Sequence, residues 1–121
     1  MKESTRQKKL GRRIQQELSE IFQREMEMPA GAMLTVTVVR VTGDLREARV
    51  YISIFPDKDA ETHIRELNER QKEVRGFLGR RIRKQVRHIP EMFFYLDDTQ
   101  QEVAHIESLL SSIQGSSNEE E

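Results

Sequence analysis

Cysteine is absent from this 121-residue chain, which excludes a disulfide framework, a thiolate metal site and a cysteine nucleophile. No apolar run approaches the roughly 20 residues that are needed to cross a bilayer. The N-terminal sequence Met-Lys-Glu-Ser-Thr-Arg is polar and contains no apolar signal segment. These absences predict a cytoplasmic protein without a membrane segment.

The residue combinations that catalysis and metal binding use are missing as well. We find no nucleophile–base arrangement and no phosphate-cradling loop. His63, His88 and His105 are widely separated and have neither cysteine nor paired carboxylates near them. We therefore expect no catalytic residue, no metal site and no cofactor.

Hydrophobic residues make up 36% of the chain and charged residues 34%, a balance that allows one small core. We expect one domain over residues 7–114, a flexible N-terminus at 1–6 and a disordered acidic tail at 115–121. The formal net charge of −1 conceals three uneven segments. Residues 1–13 hold six bases and one acid, residues 75–88 hold six bases and no acid, and residues 97–121 hold seven acids and no Lys or Arg. This asymmetry favours a nucleic-acid-binding domain.

Apolar residues repeat first with a helical period, then with a period of two, and then with a helical period again. The pattern predicts helix, strand, strand, long helix, strand and helix, over about residues 10–22, 34–41, 48–55, 58–88, 92–96 and 103–113. A slip in the alternation near Val38-Val39 indicates a β-bulge. Because a strand–helix–strand crossover is nearly always parallel, the three-stranded sheet should be mixed. We expect an α+β fold with its helices on one face of that sheet.

The long helix over residues 58–88 should bend or break. At 1.5 Å per residue it would be about 45 Å long, whereas a globule of this chain length is only about 35 Å across. Gly76 and Gly79 are the predicted hinge, since glycine best tolerates a non-helical backbone inside a helix.

Four bases recur at i, i+3, i+4 and i+7 near the end of this helix and predict one cationic ridge: Arg80, Arg83, Lys84 and Arg87. Arginine forks match phosphate oxygens in a bidentate manner. Solvated helix faces, or ion pairs with acids earlier in the helix, are the alternative explanation for part of this charge. The predicted RNA-binding residues are Lys8, Lys9, Arg12, Arg13, Arg75, Arg80, Arg81, Arg83, Lys84 and Arg87.

Several phrases of the sequence, in order, resemble the bacterial ribosome-binding factor A family. They are Asp44-Leu45 with Ala48 and Val50-Tyr51-Ile52-Ser53, Val74-Arg75 with Leu78-Gly79-Arg80-Arg81-Ile82-Arg83, and Arg87 with Pro90-Glu91-Met92 and Phe94. We expect a monomer by default. The resemblance implies a type II KH-like fold. It also implies binding to the free small (30S) ribosomal subunit and its 16S rRNA, late subunit maturation with 5′-end processing of the rRNA precursor, and contacts with other assembly factors. It does not imply catalysis.

The resemblance leaves two positions open for the helix break. The family usually has an Ala-x-Gly kink where other KH domains carry a Gly-x-x-Gly loop. One register places 74–76 at this kink, and the other, which preserves more residues, places 70–72 there without a glycine. Gly76-Phe77-Leu78-Gly79 has the Gly-x-x-Gly form, but its middle residues are apolar, unlike those of a loop that approaches phosphates. The alternative function is a protein–protein adaptor that uses the hairpin edge or the C-terminal amphipathic helix.

Overall fold

The computed structural model describes residues 3–56 and 58–97 of the chain. Within these ranges three helices and three strands follow one another in the predicted order. They are α1 (Thr5–Arg24), β1 (Met33–Val41), β2 (Glu47–Phe55), α2 (Ala60–Glu69), α3 (Gln71–Ile82) and β3 (Glu91–Leu96). The predicted helix over 103–113 and the predicted acidic tail over 115–121 lie outside the described residues.

The sheet is mixed, as predicted, with β2 in its centre. β1 pairs with β2 in the antiparallel sense and β3 pairs with β2 in the parallel sense. Alternate residues of the strands, such as Val50, Ile52 and Met92, are fully buried, and so are the apolar stripes of the helices, such as Ile14 and Leu78. One apolar core therefore lies between the sheet and its three helices, and the α+β prediction is confirmed.

Helix α1 is fixed at its start and packs closely on β1. Ser4 caps the helix and forms a reciprocal capping box with Gln7, so the helix begins two residues before the predicted domain boundary at residue 7. A Cβ atom at Gly11 would lie 2.8 Å from the carbonyl oxygen of Val39. The glycine thus allows the helix backbone to approach the edge strand directly.

The β-bulge lies one residue earlier than predicted. The register shifts between Val36 and Val38, which leaves Thr37 as the extra residue of β1. The Thr37 hydroxyl lies 2.6 Å from Asp97 Oδ2 and 3.2 Å from the carbonyl oxygen of Tyr51. These contacts give the bulged residue polar partners across the sheet.

The long helix breaks at Arg70, so the prediction of a hinge at Gly76 or Gly79 is wrong. Arg70 has φ −95° and ψ 21°, whereas both glycines lie inside α3. The break agrees with the register that placed residues 70–72 at the family's kink. Two side chains beside it bind the outer edge of β3: the Asn68 amide bonds both the N–H and the carbonyl of Phe94, and Gln71 Oε1 accepts from the Met92 N–H. Contacts with the strand, rather than glycine flexibility, position the break.

Helix α3 ends at Ile82, six residues before the predicted end. A turn over 83–85 follows, in which the Gln85 N–H bonds the Ile82 carbonyl. The chain then returns along α3, where Arg75 Nη2 donates to the Ile89 carbonyl over 2.8 Å. The reversal is necessary because β3 must begin beside β2 at Glu91. Among the described residues, no helix is long and apolar enough to span a membrane.

Candidate nucleic-acid interface

A cleft of about 600 Å³ lies where α1, the β1–β2 turn and the segment after α3 meet. Its walls come from three parts of the chain that are far apart in sequence. The lining residues are Arg6, Lys9, Leu10, Arg13, Asp44, Leu45, Arg46, Ile82, Gln85, Val86, Arg87 and His88.

Cationic side chains surround this cleft. Arg6, Lys9 and Arg13 are spaced at i, i+3 and i+7 along α1, so they share one face of the helix. Arg46 extends this group from the β1–β2 turn, and Arg87 extends it from the segment after α3. Two basic segments that are separated by some 60 residues of sequence thus form one cationic surface.

The floor of the cleft is apolar. Leu10 and Ile82 are buried, and Leu45 and Val86 are half-buried and pack against the core. Leu45 has a φ of +62°, in the left-handed region that leucine rarely adopts. The floor is therefore continuous with the hydrophobic core.

Among the residues that the structure describes, one carboxylate, that of Asp44, lines the cleft. Its Oδ1 accepts hydrogen bonds from the Thr42 hydroxyl over 2.8 Å and from the Arg46 N–H over 3.1 Å. These bonds, that of Thr42 first, lower the pKa of Asp44 below its ordinary value. The carboxylate therefore stays ionised at neutral pH.

The predicted ridge of Arg80, Arg83, Lys84 and Arg87 does not lie on one helix, because α3 ends at Ile82. Three of the ten predicted RNA-binding residues line the cleft: Lys9, Arg13 and Arg87. Five others are exposed and lie within two residues of the lining residues along the sequence: Lys8 and Arg12 on α1, Arg80 at the end of α3, and Arg83 and Lys84 after α3. The Arg80 guanidinium lies over the Phe77 ring at 4.7 Å, which orients it without neutralising its charge.

The remaining two residues, Arg75 and Arg81, are engaged in contacts within the protein, and Arg13 of the cleft also pairs with Glu17 Oε2 over 2.9 Å. Arg81 pairs with the carboxylates of Glu17, Glu20 and Glu25 and thereby joins α3 to α1 and its C-terminal end. Arg75 is half-buried and donates to the backbone of the segment that precedes β3. Sequence alone did not reveal these partners, because all of them are distant along the chain.

Among the basic residues that line the cleft, the prediction missed three: Arg6, Arg46 and His88. Arg6 and His88 lie within the two basic segments that the charge count identified, so that count was the available signal. Arg46 lies between two strands and belongs to neither basic segment, so the charge count along the sequence did not identify it. Only the position of the β1–β2 turn beside α1 places it with the other cations.

A sequence profile of the family described as ribosome-binding factor A matches residues 6–110. A ribosome-binding factor A of Cytophaga hutchinsonii is 43% identical over 112 residues, which cover 92% of this chain and 84% of that protein. One of Chlorobaculum tepidum is 39% identical over 119 residues, or 98% of each chain. The described residues therefore hold most of the region that these relatives share.

Solved structures of the same description share the fold. A crystal structure of ribosome-binding factor A from Thermus thermophilus aligns with a TM-score of 0.63 at 24% identity, over 74% of this chain and 94% of that one. A homology model of the Thermus thermophilus ribosome-binding factor A, fitted into a cryo-EM map of its 30S complex, aligns with a TM-score of 0.59 at 27% identity, over 72% of this chain and 90% of that one. Together with the profile match and the full-length relatives, this places the chain in the ribosome-binding factor A family.

Proposed function

We propose that this chain binds the free small (30S) ribosomal subunit through its 16S rRNA and promotes late maturation of that subunit, including 5′-end processing of the rRNA precursor. The observation that carries the proposal is the convergence of two basic segments on one cleft. Family membership supplies the target, because a Thermus thermophilus relative was fitted into a map of a 30S complex.

The RNA contacts that we propose include eight of the predicted residues and two that the structure adds. The eight are Lys8, Lys9, Arg12, Arg13, Arg80, Arg83, Lys84 and Arg87, and the additions are Arg6 and Arg46. Arg75 and Arg81 are left out because their guanidinium groups are bound within the protein and neither residue lines the cleft. Arg13 is kept because it lines the cleft, although its Nε pairs with Glu17 Oε2 over 2.9 Å. Folded RNA is recognised mainly through shape and phosphates, which suits an exposed cationic surface.

The proposed activity is binding rather than catalysis, performed by a monomer in the cytoplasm, where bacterial subunits mature. A factor of this kind stabilises one rRNA conformation by binding it more tightly than the others. Other assembly factors could then act on the conformation that is held. Support comes from the relatives, which are named for ribosome binding.

The adaptor alternative is not favoured. Its first candidate surface, the edge of β1, is partly covered, because Gln7 Nε2 donates to the Val41 carbonyl and Gln15 Nε2 donates to that of Val36. Gly11 of α1 also packs against the Val39 carbonyl of the same strand. Its second candidate, the predicted C-terminal helix, lies outside the described residues.

Co-sedimentation of the protein with free 30S subunits, 50S subunits and whole ribosomes at two salt concentrations tests the proposal. We expect binding to free 30S subunits alone. Its affinity should fall with salt with a log–log slope of roughly −3 to −5, because several phosphates exchange counterions for side-chain cations. Equal binding to all three particles, or a response that is flat in salt, would contradict the proposal.

A charge-reversal variant tests the cleft itself. Lys9→Glu combined with Arg87→Glu should weaken 30S binding by at least tenfold, because two phosphate contacts become repulsive. The matched control is Lys58→Glu combined with Arg65→Glu, which changes the net charge equally at exposed positions outside the cleft. Arg80→Glu with Lys84→Glu tests the cations next to the cleft in the same assay. Equal losses in the cleft variant and the control would show a general charge effect only.

A further inference from the structure

The cleft has features that phosphate binding alone does not require. A site for the RNA backbone needs donors and positive charge, which Arg6, Arg13 and Arg46 provide at the rim. It does not need an apolar floor, and a carboxylate such as Asp44 repels phosphate. The lining therefore points to a ligand that has an anionic part, a flat apolar part and hydrogen-bond donors.

We propose that the cleft takes up one unstacked nucleotide of the RNA, with its base on the apolar floor and its phosphate against the rim arginines. This inference rests on the proposed function and deepens it, since it adds a pocket for a base to a surface for phosphates. A volume of about 600 Å³ falls within the range of small-ligand sites, roughly 300–1,000 Å³. Unpaired bases splayed out of loops and bulges are what proteins read in RNA beyond its shape.

The backbone at Leu45 provides an independent observation. Its φ of +62° is one of two positive values at non-glycine residues among those described. Glycine or asparagine would adopt this conformation with less strain. Leucine in this position supplies a side chain that packs against the core and lies on the floor of the cleft. Strain of this kind is found at ligand-binding positions.

The Asp44 carboxylate fits the same ligand. One of its oxygens, Oδ1, accepts from the Thr42 hydroxyl and from the Arg46 N–H, whereas Oδ2 accepts no hydrogen bond from another residue within 3–56 and 58–97. An ionised oxygen beside an apolar floor can accept a bond from the exocyclic amino group of adenine, cytosine or guanine. Uracil has no such amino group, so it should be the weakest of the four bases in this cleft.

Nuclear magnetic resonance of the full chain with adenosine 5′-monophosphate as the probe tests the inference directly. We expect the signals of Leu10, Leu45 and Val86 to shift with the mononucleotide, at about millimolar affinity because one nucleotide buries little surface. Ribose 5-phosphate and inorganic phosphate should shift only signals of the cationic rim, such as that of Arg46. Identical shifts with all three probes would overturn the inference, since the cleft would then bind phosphate alone.

Two substitutions to glycine, one inside the cleft and one outside it, provide a variant and its matched control. Leu45→Gly removes the side chain from the floor and relaxes the backbone, so the fold should persist, which thermal unfolding checks. Its 30S affinity should fall severalfold while the salt slope stays unchanged, because no cation is lost. Asp59→Gly relaxes the other positive φ, 62°, outside the cleft, and should leave affinity and mononucleotide shifts as in the wild type. Wild-type affinity in a folded Leu45→Gly protein would overturn the inference.

The two proposals can fail separately. Salt-dependent 30S binding by the wild type, combined with mononucleotide shifts confined to the rim, would overturn the nucleotide pocket and leave the proposed function standing. Absence of 30S binding by a folded wild-type protein would overturn the proposed function and, with it, the inference that depends on it.

Discussion

Arginine side chains in this protein differ mainly in what their guanidinium groups contact. Arg81 has about a fifth of its side chain exposed and binds three carboxylates, those of Glu17, Glu20 and Glu25. Arg83, two residues later, is exposed and has no ion-pair partner within the described part of the chain. Identical residue types in one basic segment therefore have different roles. Packing against α1 decides which of them stabilise the fold and which remain available to a ligand.

Arg81→Met should destabilise the protein, and Arg83→Met should not. The first variant keeps the aliphatic stem but removes charge-assisted bonds, with an expected loss of about 1–3 kcal/mol in the free energy of unfolding. The second changes an exposed position and should stay within about 0.5 kcal/mol of the wild type. Urea unfolding at neutral pH measures both. Equal stability of the two variants would show that the Arg81 contacts contribute nothing net.

The stability that the Arg81 ion pairs contribute should depend on pH. The Arg81 hydrogen bond holds the pKa of Glu20 below its ordinary value of 4.5. A carboxylate with a lowered folded-state pKa stabilises the fold above its unfolded pKa, and that contribution is lost as the pH falls through the folded value. The stability difference between wild type and Arg81→Met should therefore narrow below about pH 4.5. A difference that stays constant down to pH 3 would argue against the Glu20–Arg81 pair.

At the scale of elements, side-chain amides from the helices bind both edges of the sheet. Gln7 and Gln15 of α1 donate to carbonyls of β1. Asn68 and Gln71, on either side of the break between α2 and α3, bind the outer edge of β3. Edge strands with unpaired backbone groups invite association with other chains. Side-chain amides on the helices form hydrogen bonds with several of these edge backbone groups. The bonds that Asn68 and Gln71 make to β3 position the break between α2 and α3.

Asn68→Ala and Gln71→Ala should each expose a different backbone amide. The first leaves the Phe94 N–H without its acceptor at 2.9 Å, and the second leaves the Met92 N–H without its acceptor at 2.7 Å. An unsatisfied buried donor costs about 1–3 kcal/mol. Hydrogen exchange should accelerate at Phe94 in the first variant and at Met92 in the second. Acceleration at both residues in both variants would mean that β3 detaches as a unit.

At the scale of the whole molecule, the fold concentrates charge that is spread along the chain. Arg46 comes from a turn, Arg6 and Lys9 from the first helix and Arg87 from the segment after α3, yet all four line one cleft. A cationic concavity raises the local potential and attracts polyanions more than separate charges do. The nearly neutral net charge of the chain therefore says little about its preferred partner.

Arg46→Ala and Arg75→Ala should separate binding from folding. Loss of Arg46 removes a rim cation, so the salt slope of 30S binding should fall in magnitude by about one, with little change in stability. Loss of Arg75 removes its 2.8 Å hydrogen bond to the Ile89 carbonyl. The free energy of unfolding should therefore fall by about 1 kcal/mol, while the salt slope of 30S binding should stay as in the wild type. Co-sedimentation across a salt series and thermal unfolding measure the two effects. Reversed results would exchange the roles assigned to these arginines.

Much of the fold was predictable because the relevant signals are local. A period of two in β1 and β2 and a helical period in α1 depend on residues within a few positions of one another. The parallel placement of β3 followed from the handedness rule for crossovers, which is general. The two basic segments were visible as a charge count along the sequence.

The positions of the helix break and of the cleft were decided by tertiary contacts. Glycine propensity favoured Gly76 or Gly79, but the bonds from Asn68 and Gln71 to β3 placed the break at Arg70. The sequence by itself therefore determined the elements and their core faces, because period and charge are properties of neighbouring residues. Only the tertiary structure decided where the cations meet and that Arg75 and Arg81 are bound, because the carbonyl and the carboxylates that bind these two are distant along the chain.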